Sequence, residues 1–145
     1  MKLGRPFPAP STDLGLLLAR LLIGAVLIAH GWQKFVTYTI DGTAQSFEVM
    51  GVPAPAAAAI FAAVVELIGG ALLVLGLLTP VAAALIVLDM VGAFWFAHRS
   101  SGVFVGEGGW ELVAVIAALA IALAVAGPGR ASIDHAIGKR LQPEA

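Results

Sequence analysis

Long apolar runs separated by short polar breaks dominate the chain. Four runs, at about 14–35, 54–78, 81–97 and 110–126, carry few ionisable residues, and each is long enough to be predicted as a helix crossing the hydrocarbon core of a bilayer. The breaks hold helix start and stop signals. Ser11, Thr12 and Asp13 offer N-cap side chains for the first helix, Pro55 suits a first helical turn, and Thr79 before Pro80 predicts a cap followed by an N1 proline. Spans two and three then form a tight hairpin, while Gly127-Pro128-Gly129 stops the fourth helix and leaves a polar, partly amphipathic tail over 127–145. In the first long break, 43–50 is predicted to form one or two helical turns with Phe47 and Met50 on one side, lying on the surface or re-entering.

Composition moves this pattern from a buried soluble core to lipid. Hydrophobic residues make up 60% and charged residues 12% of the 145, with a mean hydropathy of +0.98, whereas a soluble domain carries about 25% charged residues. A chain this short cannot hide so much apolar surface in one core, so the bilayer is its first partner. A net charge of -1 provides no basic footprint and excludes nucleic-acid binding. With no cysteine, thiol chemistry and iron–sulfur ligation would have to come from a partner. The first span does not read as a cleaved signal peptide, because prolines and Asp13 precede it, Arg20 interrupts it and no small-x-small site follows. Lys2 and Arg5 before the first span, with Arg130, Lys139 and Arg140 after the last, place both termini in the cytoplasm by the positive-inside rule. The predicted fold is therefore all-α: a single-domain, polytopic four-transmembrane-helix bundle with both termini cytoplasmic.

Against this background the ionisable residues inside the runs carry the functional information, since each costs about 3 kcal/mol or more at bilayer depth. At about 100° per residue, Arg20, Gly24, Leu27, Gly31 and Lys34 share a stripe with His30 at its edge, and Ala59, Ala62, Glu66 and Gly70 share another. Asp89 lies with Ala82, Gly92 and Ala93, and Glu111 with Ala114, Ala118 and Ala122, so each acid is predicted on its helix's small-residue, inward side. Depth along the helices predicts an inner pairing of Arg20 with Glu66, shared with Asp89, and an outer pairing of Lys34 with Glu111 near His30, Gln33 and His98. Two bases then face three acids, leaving one carboxyl protonated, wet or paired with His30. Arg20, His30, Gln33, Lys34, Glu66, Asp89 and Glu111 are the candidates for ligand binding or proton relay. No phosphate loop, metal-ligand spacing or serine triad is present, and no metal site is expected. His30 and His98 lack the matched placement of axial haem ligands.

The string from Arg20-Leu-Leu-Ile-Gly24 to His30-Gly31-Trp32-Gln33-Lys34, then Met50-Gly51-Val52-Pro53, resembles the DoxX family of small bacterial four-helix membrane proteins. Further matches are Glu66-Leu-Ile-Gly69-Gly70, Gly76-Leu77-Leu78-Thr79, Gly108-Gly109-Trp110-Glu111 and the closing Gly127-Pro128-Gly129-Arg130-Ala131-Ser132-Ile133-Asp134. The likeness runs over about 14–134. Trp110 stands where the family often has another aromatic. The resemblance implies a multi-pass protein of the bacterial inner membrane and a membrane part of an oxidoreductase assembly. Family systems of this kind are quinone-linked thiosulfate oxidation and a mycobacterial complex joining a superoxide dismutase to a sulfurtransferase. It also implies a soluble redox enzyme or a second copy as partner.

Three functions are compatible with these residues. One is an oxidoreductase subunit whose polar cavity sits at quinone headgroup depth, with Arg20 and Lys34 holding a carbonyl or anionic group and Glu66, Asp89 or His30 handling protons. A second is a small-solute or ion pathway along the charged stripes. The third is a structural or assembly protein whose charges serve helix association alone. The plainer readings stand beside them: Arg20 and Glu66 as a register-fixing ion pair, Gln33 and Lys34 as snorkelling side chains, and Trp32, Trp95 and Trp110 as an interfacial belt.

Overall fold

The computed structural model describes residues 9–141, and among them all regular structure is helical. Lys2 and Arg5 lie outside the described residues. Helix α1 runs Ala9–Trp32 and closes in a π turn, Gln33–Thr37. A short helix α2, Thr39–Val49, follows, and α3 spans Pro55–Leu75 with a π turn, Val65–Gly69, inside it. Helix α4 spans Thr79–His98 and ends in a third π turn, Phe94–His98. Then come α5, Glu111–Ala126, and α6, Ile133–Leu141. Three helices, Pro10–Thr37, Pro55–Leu75 and Thr79–His98, are long and apolar enough to cross a membrane; α5, at 16 residues, is shorter.

Glycine sets how the first two long helices meet. A Cβ on Gly24 would stand 2.7 Å from the Gly70 carbonyl oxygen, and one on Gly31 would stand 2.5 Å from the Leu67 nitrogen, so the backbones of α1 and α3 touch where side chains are missing. Arg20, Gly24, Leu27 and Gly31 of the first predicted stripe and Ala59, Ala62, Glu66 and Gly70 of the second are buried, whereas Lys34 at the end of the first stripe is partly exposed. The stripe predicted for the fourth helix fails: Ala118 and Ala122 are exposed, and α5 instead buries Val113, Ile116, Ala120 and Leu123. These bulkier side chains join the core with the small Ala82 and Ala83 of α4, so the volume is supplied by α5 and the room by its neighbour.

The first helix begins earlier than its predicted start near Leu14, which places Asp13 inside α1. Its carboxylate accepts from the Arg130 backbone N–H at 2.9 Å and pairs with the Arg130 side chain. The α3–α4 hairpin departs from its predicted cap in a similar way. Leu78 takes a left-handed φ of 50°, and Thr79 is the first residue of α4 rather than its cap. The cap comes from α6, where Asp134 accepts from the N–H groups of Leu78 at 2.8 Å and Thr79 at 2.9 Å while its own N–H donates to the Gly76 carbonyl at 2.9 Å. Partial burial pushes the Asp134 carboxyl upward, but the backbone donors of Thr79 and Leu78, with the Arg20 charge, outweigh it and hold the group below its usual 3.8.

Two predictions follow from this packing. Gly31→Ala should force α1 from α3 and destabilise the protein by about 1–3 kcal/mol, whereas Gly15→Ala, which meets nothing within 4 Å, should be neutral; thermal unfolding in detergent distinguishes them. Asp134→Ala should cost about 1 kcal/mol as a lost helix cap. Because the folded Asp134 is depressed, the contribution is present above 3.8 and lost as pH falls through the folded value. The mutant and parent melting curves should therefore converge in acid.

Candidate functional site

The α1–α3 register decides which charges meet. The helices run antiparallel, with Gly24 against Gly70 and Gly31 against Leu67, so the next inward turn of α1 brings Lys34 over Glu66. Lys34 Nζ donates to Glu66 Oε2 at 2.6 Å, and this ion pair lies within the helical bundle. The predicted pairing of Arg20 with Glu66 does not form. Arg20 stands level with Gly76, where an added Cβ would collide with Nη1, and Gly76 is ten residues beyond Glu66, about 15 Å of helix rise. There Arg20 is fully buried at 0% exposure and donates through Nη2 to the Ala131 carbonyl at 2.5 Å.

The predicted Lys34–Glu111 pair is also absent, because each member has a nearer partner. Glu111, at the start of α5, accepts through Oε1 from the Val105 N–H at 2.7 Å and so ties down the preceding 3₁₀ turn, Val105–Glu107. Gln33 is exposed and lines a separate surface groove with Trp32 and Ala25.

Beside the Lys34–Glu66 pair lies a cavity of about 450 Å³. Its polar wall is His30, Lys34, Glu66, Asp89 and His98. The rest of the wall is mainly apolar, with Phe61 from α3, Phe96 from α4, Val113 and Ile116 from α5, and Phe47 of α2 together with Met50 just beyond it. The helix predicted over 43–50 is present as the longer α2, which starts at Thr39 and ends at Val49, and Phe47 with Met50 beyond its end lines the cavity. Of the seven candidates, His30, Lys34, Glu66 and Asp89 come together, whereas Arg20, Gln33 and Glu111 do not. Trp32, Trp95 and Trp110 are outside the cavity wall; Trp95 carries the Arg99 guanidinium at 4.6 Å, and Trp110 meets Phe94 edge to face.

Two details define the chemistry of the wall. Asp89 is only 8% exposed, and its Oδ2 has no hydrogen-bond partner, an arrangement that costs free energy unless a ligand, water or proton satisfies it. His98 is held by a 2.7 Å bond between Nδ1 and the Gly108 carbonyl oxygen. A carbonyl only accepts, so Nδ1 carries the hydrogen and Nε2 of the neutral ring is an acceptor. Lys34, Glu66 and His98 each sit in one of the three π turns, the irregular helix geometry often found at functional sites. Periodicity at 3.6 residues per turn does not reveal such turns. The acceptor role of Asp134 was also missed, although the Gly-Pro-Gly-Arg-Ala-Ser-Ile-Asp string was visible.

The DoxX family model matches residues 15–99, which contain α1 from its second turn through the end of α4. The chain belongs to the DoxX family. It is 39% identical over 131 residues to the "Uncharacterized membrane protein Rv3486" of Mycobacterium tuberculosis, covering 83% of this chain and 80% of that protein. It is 34% identical to the "Inner membrane protein YphA" of Escherichia coli over 83% of this chain and 88% of the relative. To the "Putative oxidoreductase CatD" of Bacillus subtilis it is 32% identical over 78% and 81% respectively. No solved structure matches the chain. This DoxX-family chain is accordingly a membrane protein, and its apolar helices face lipid.

If Lys34 and Glu66 act as one unit, removing either alone strands its partner. Lys34→Met or Glu66→Met should each destabilise by about 3–5 kcal/mol, and the double variant should recover much of that loss. Chemical unfolding of all four proteins in the same detergent, read as a double-mutant cycle, checks the coupling.

Proposed function

We propose that this DoxX protein is the membrane subunit of an oxidoreductase assembly in the bacterial inner membrane and that its cavity receives the ring of a quinone. The observation that carries the reading is the placement of the Lys34–Glu66 pair and the unpartnered Asp89 oxygen in an otherwise apolar cavity of about 450 Å³. A few convergent polar groups in an apolar hollow suit a small, mostly apolar ligand with polar atoms at its edge. The Lys34 ammonium has donors to spare beyond the one directed at Glu66, and one of them serves a ring carbonyl. Phe47, Phe61 and Phe96 supply apolar walls for the ring, and α2 limits access of water. When bound, a quinone supplies reversible two-electron, two-proton chemistry; Glu66 and Asp89 are the side chains that hold protons beside it. The name of the Bacillus subtilis relative is consistent with this role.

The accompanying topology has α5 as a fourth, shorter span and both termini in the cytoplasm. Arg130, Lys139 and Arg140 then lie on the inner side, together with the Asp134 clasp, and the cavity opens toward the outer half of the bilayer. A soluble redox enzyme docks on this subunit and exchanges electrons with the cavity's occupant.

Native purification followed by titration with a short-chain quinone tests the assignment. Binding is expected, with Lys34→Met weakening it about tenfold or more, the loss of one charge-assisted hydrogen bond. Absence of both quinone binding and any co-purifying redox enzyme would remove the proposal, and quinone-independent ion flux in liposomes would favour a transport role instead.

A further inference from the structure

The cavity wall has more hydrogen-bond acceptors than donors, and that imbalance specifies the form of ligand it holds. Lys34 is the fixed donor. Facing it are Glu66, whose Oε2 accepts a hydrogen bond from Lys34 Nζ, Asp89, whose buried Oδ2 is unpartnered, and His98, whose Nδ1–H is committed to the Gly108 carbonyl and leaves Nε2 of the neutral ring as an acceptor. His30 completes the polar wall from α1. Helix α5 contributes only apolar side chains to the lining, since Glu111 is engaged by the Val105 N–H, and α2 contributes Phe47.

We infer that the cavity binds the hydroxyl-bearing, reduced form of an aromatic carrier, a hydroquinone or other phenol, in preference to its quinone, with Asp89 Oδ2 accepting the phenolic hydrogen. The inference rests on the proposed quinone site and refines it. A quinone offers two carbonyl acceptors and leaves Asp89 as it stands, a buried oxygen without a donor. A hydroquinone keeps the same ring for the apolar walls, gives one oxygen to Lys34 and turns one hydroxyl to Asp89. The orphaned oxygen is then satisfied by the ligand itself, and discrimination comes from the cost of leaving it unpaired when the hydroxyl is missing. Leaving a buried acceptor without a donor is costly, so this one bond is expected to separate the two forms by about tenfold.

The decisive experiment uses the unmodified full chain in lipid nanodiscs and measures equilibrium binding, corrected for partition into lipid. One probe pair is an alkylhydroquinone and its quinone, the hydroquinone kept reduced under anaerobic conditions; the other is an alkylphenol and its O-methyl ether, which have no redox chemistry. The expected result is about tenfold tighter binding of the hydroquinone and of the phenol than of their counterparts. In Asp89→Asn, whose amide can turn a donor as well as a weaker, neutral acceptor to the ligand, both ratios should fall to about one, with quinone binding kept or improved. A quinone bound as tightly as its hydroquinone overturns the inference and leaves the quinone site standing. Failure of both to bind overturns the site as well. Equal binding of phenol and ether overturns the role of the hydroxyl, and an unchanged preference in folded Asp89→Asn overturns the assignment to Asp89. If that variant does not fold, the two ligand pairs on the parent protein still decide the question.

Discussion

The close approach of α1 and α3 is the constraint from which the rest of the arrangement follows. Gly24, Gly31 and Gly70 let two backbones touch in a protein where lipid supplies no hydrophobic drive for helix association. Packing at such a crossing tolerates little sliding, because a shift of one residue would drive a side chain into a carbonyl. The crossing therefore fixes axial register, and register sets Lys34 opposite Glu66 and Arg20 opposite Gly76. Electrostatic attraction holds the pair once it is made, but sterics choose the partners. The same contact leaves α2, α4 and α5 to enclose a hollow beside the pair, which the α1–α3 interface itself has no room for.

The charged groups divide into two sets by location and by kind of partner. At one end, Asp13, Arg20, Arg130 and Asp134 bond largely to backbone: Arg20 to the Ala131 carbonyl, Asp134 to two N–H groups at the start of α4, and Asp13 to the Arg130 N–H, with an Arg130 side-chain pair beside it. These bonds complete helix ends and join the segment after α5 to both α1 and the α3–α4 hairpin. At the other end, the partners of Lys34, Glu66 and Asp89 are one another or are missing. Buried polar atoms without a partner occur at both ends, Arg20 Nε and Nη1 with Thr79 Oγ1 at the first and Asp89 Oδ2 at the second, so what separates the two is the apolar cavity beside Asp89. The Asp89 end is thus the one with room for a ligand, and π turns there displace Lys34, Glu66 and His98 from regular helical positions.

Much of this was legible in the chain. Hydropathy located the long helices because lipid demands length and apolarity together, and the small-residue stripes on α1 and α3 gave their buried faces because glycine has no role on a lipid-facing surface. Family membership was carried by several motifs in one order. Pairing was not legible, since it depends on the axial offset between two helices, which composition does not encode. Glu111 looked like an intramembrane acid but stands at the first residue of α5, where an unpaired N–H of the adjacent turn is its natural partner. The inward face of α5 was misread for a related reason. Small residues mark an interface only when both helices approach closely, and against the alanine-lined α4 the bulky Ile116 and Leu123 fit better.

Asp134 has a consequence for the order in which the protein is made. The hairpin between α3 and α4 contains a left-handed Leu78 and two N–H groups whose carboxylate is 55 and 56 residues further along the chain. As the ribosome delivers the helices one by one, this turn enters the membrane before its cap has been synthesised. The hairpin inserts in a provisional form, and its geometry is completed when the segment after α5 reaches back to Gly76 and Arg20. Maturation of the contacts around Gly76 and Arg20 thus waits for the synthesis of α6, which makes that helix a latch on assembly.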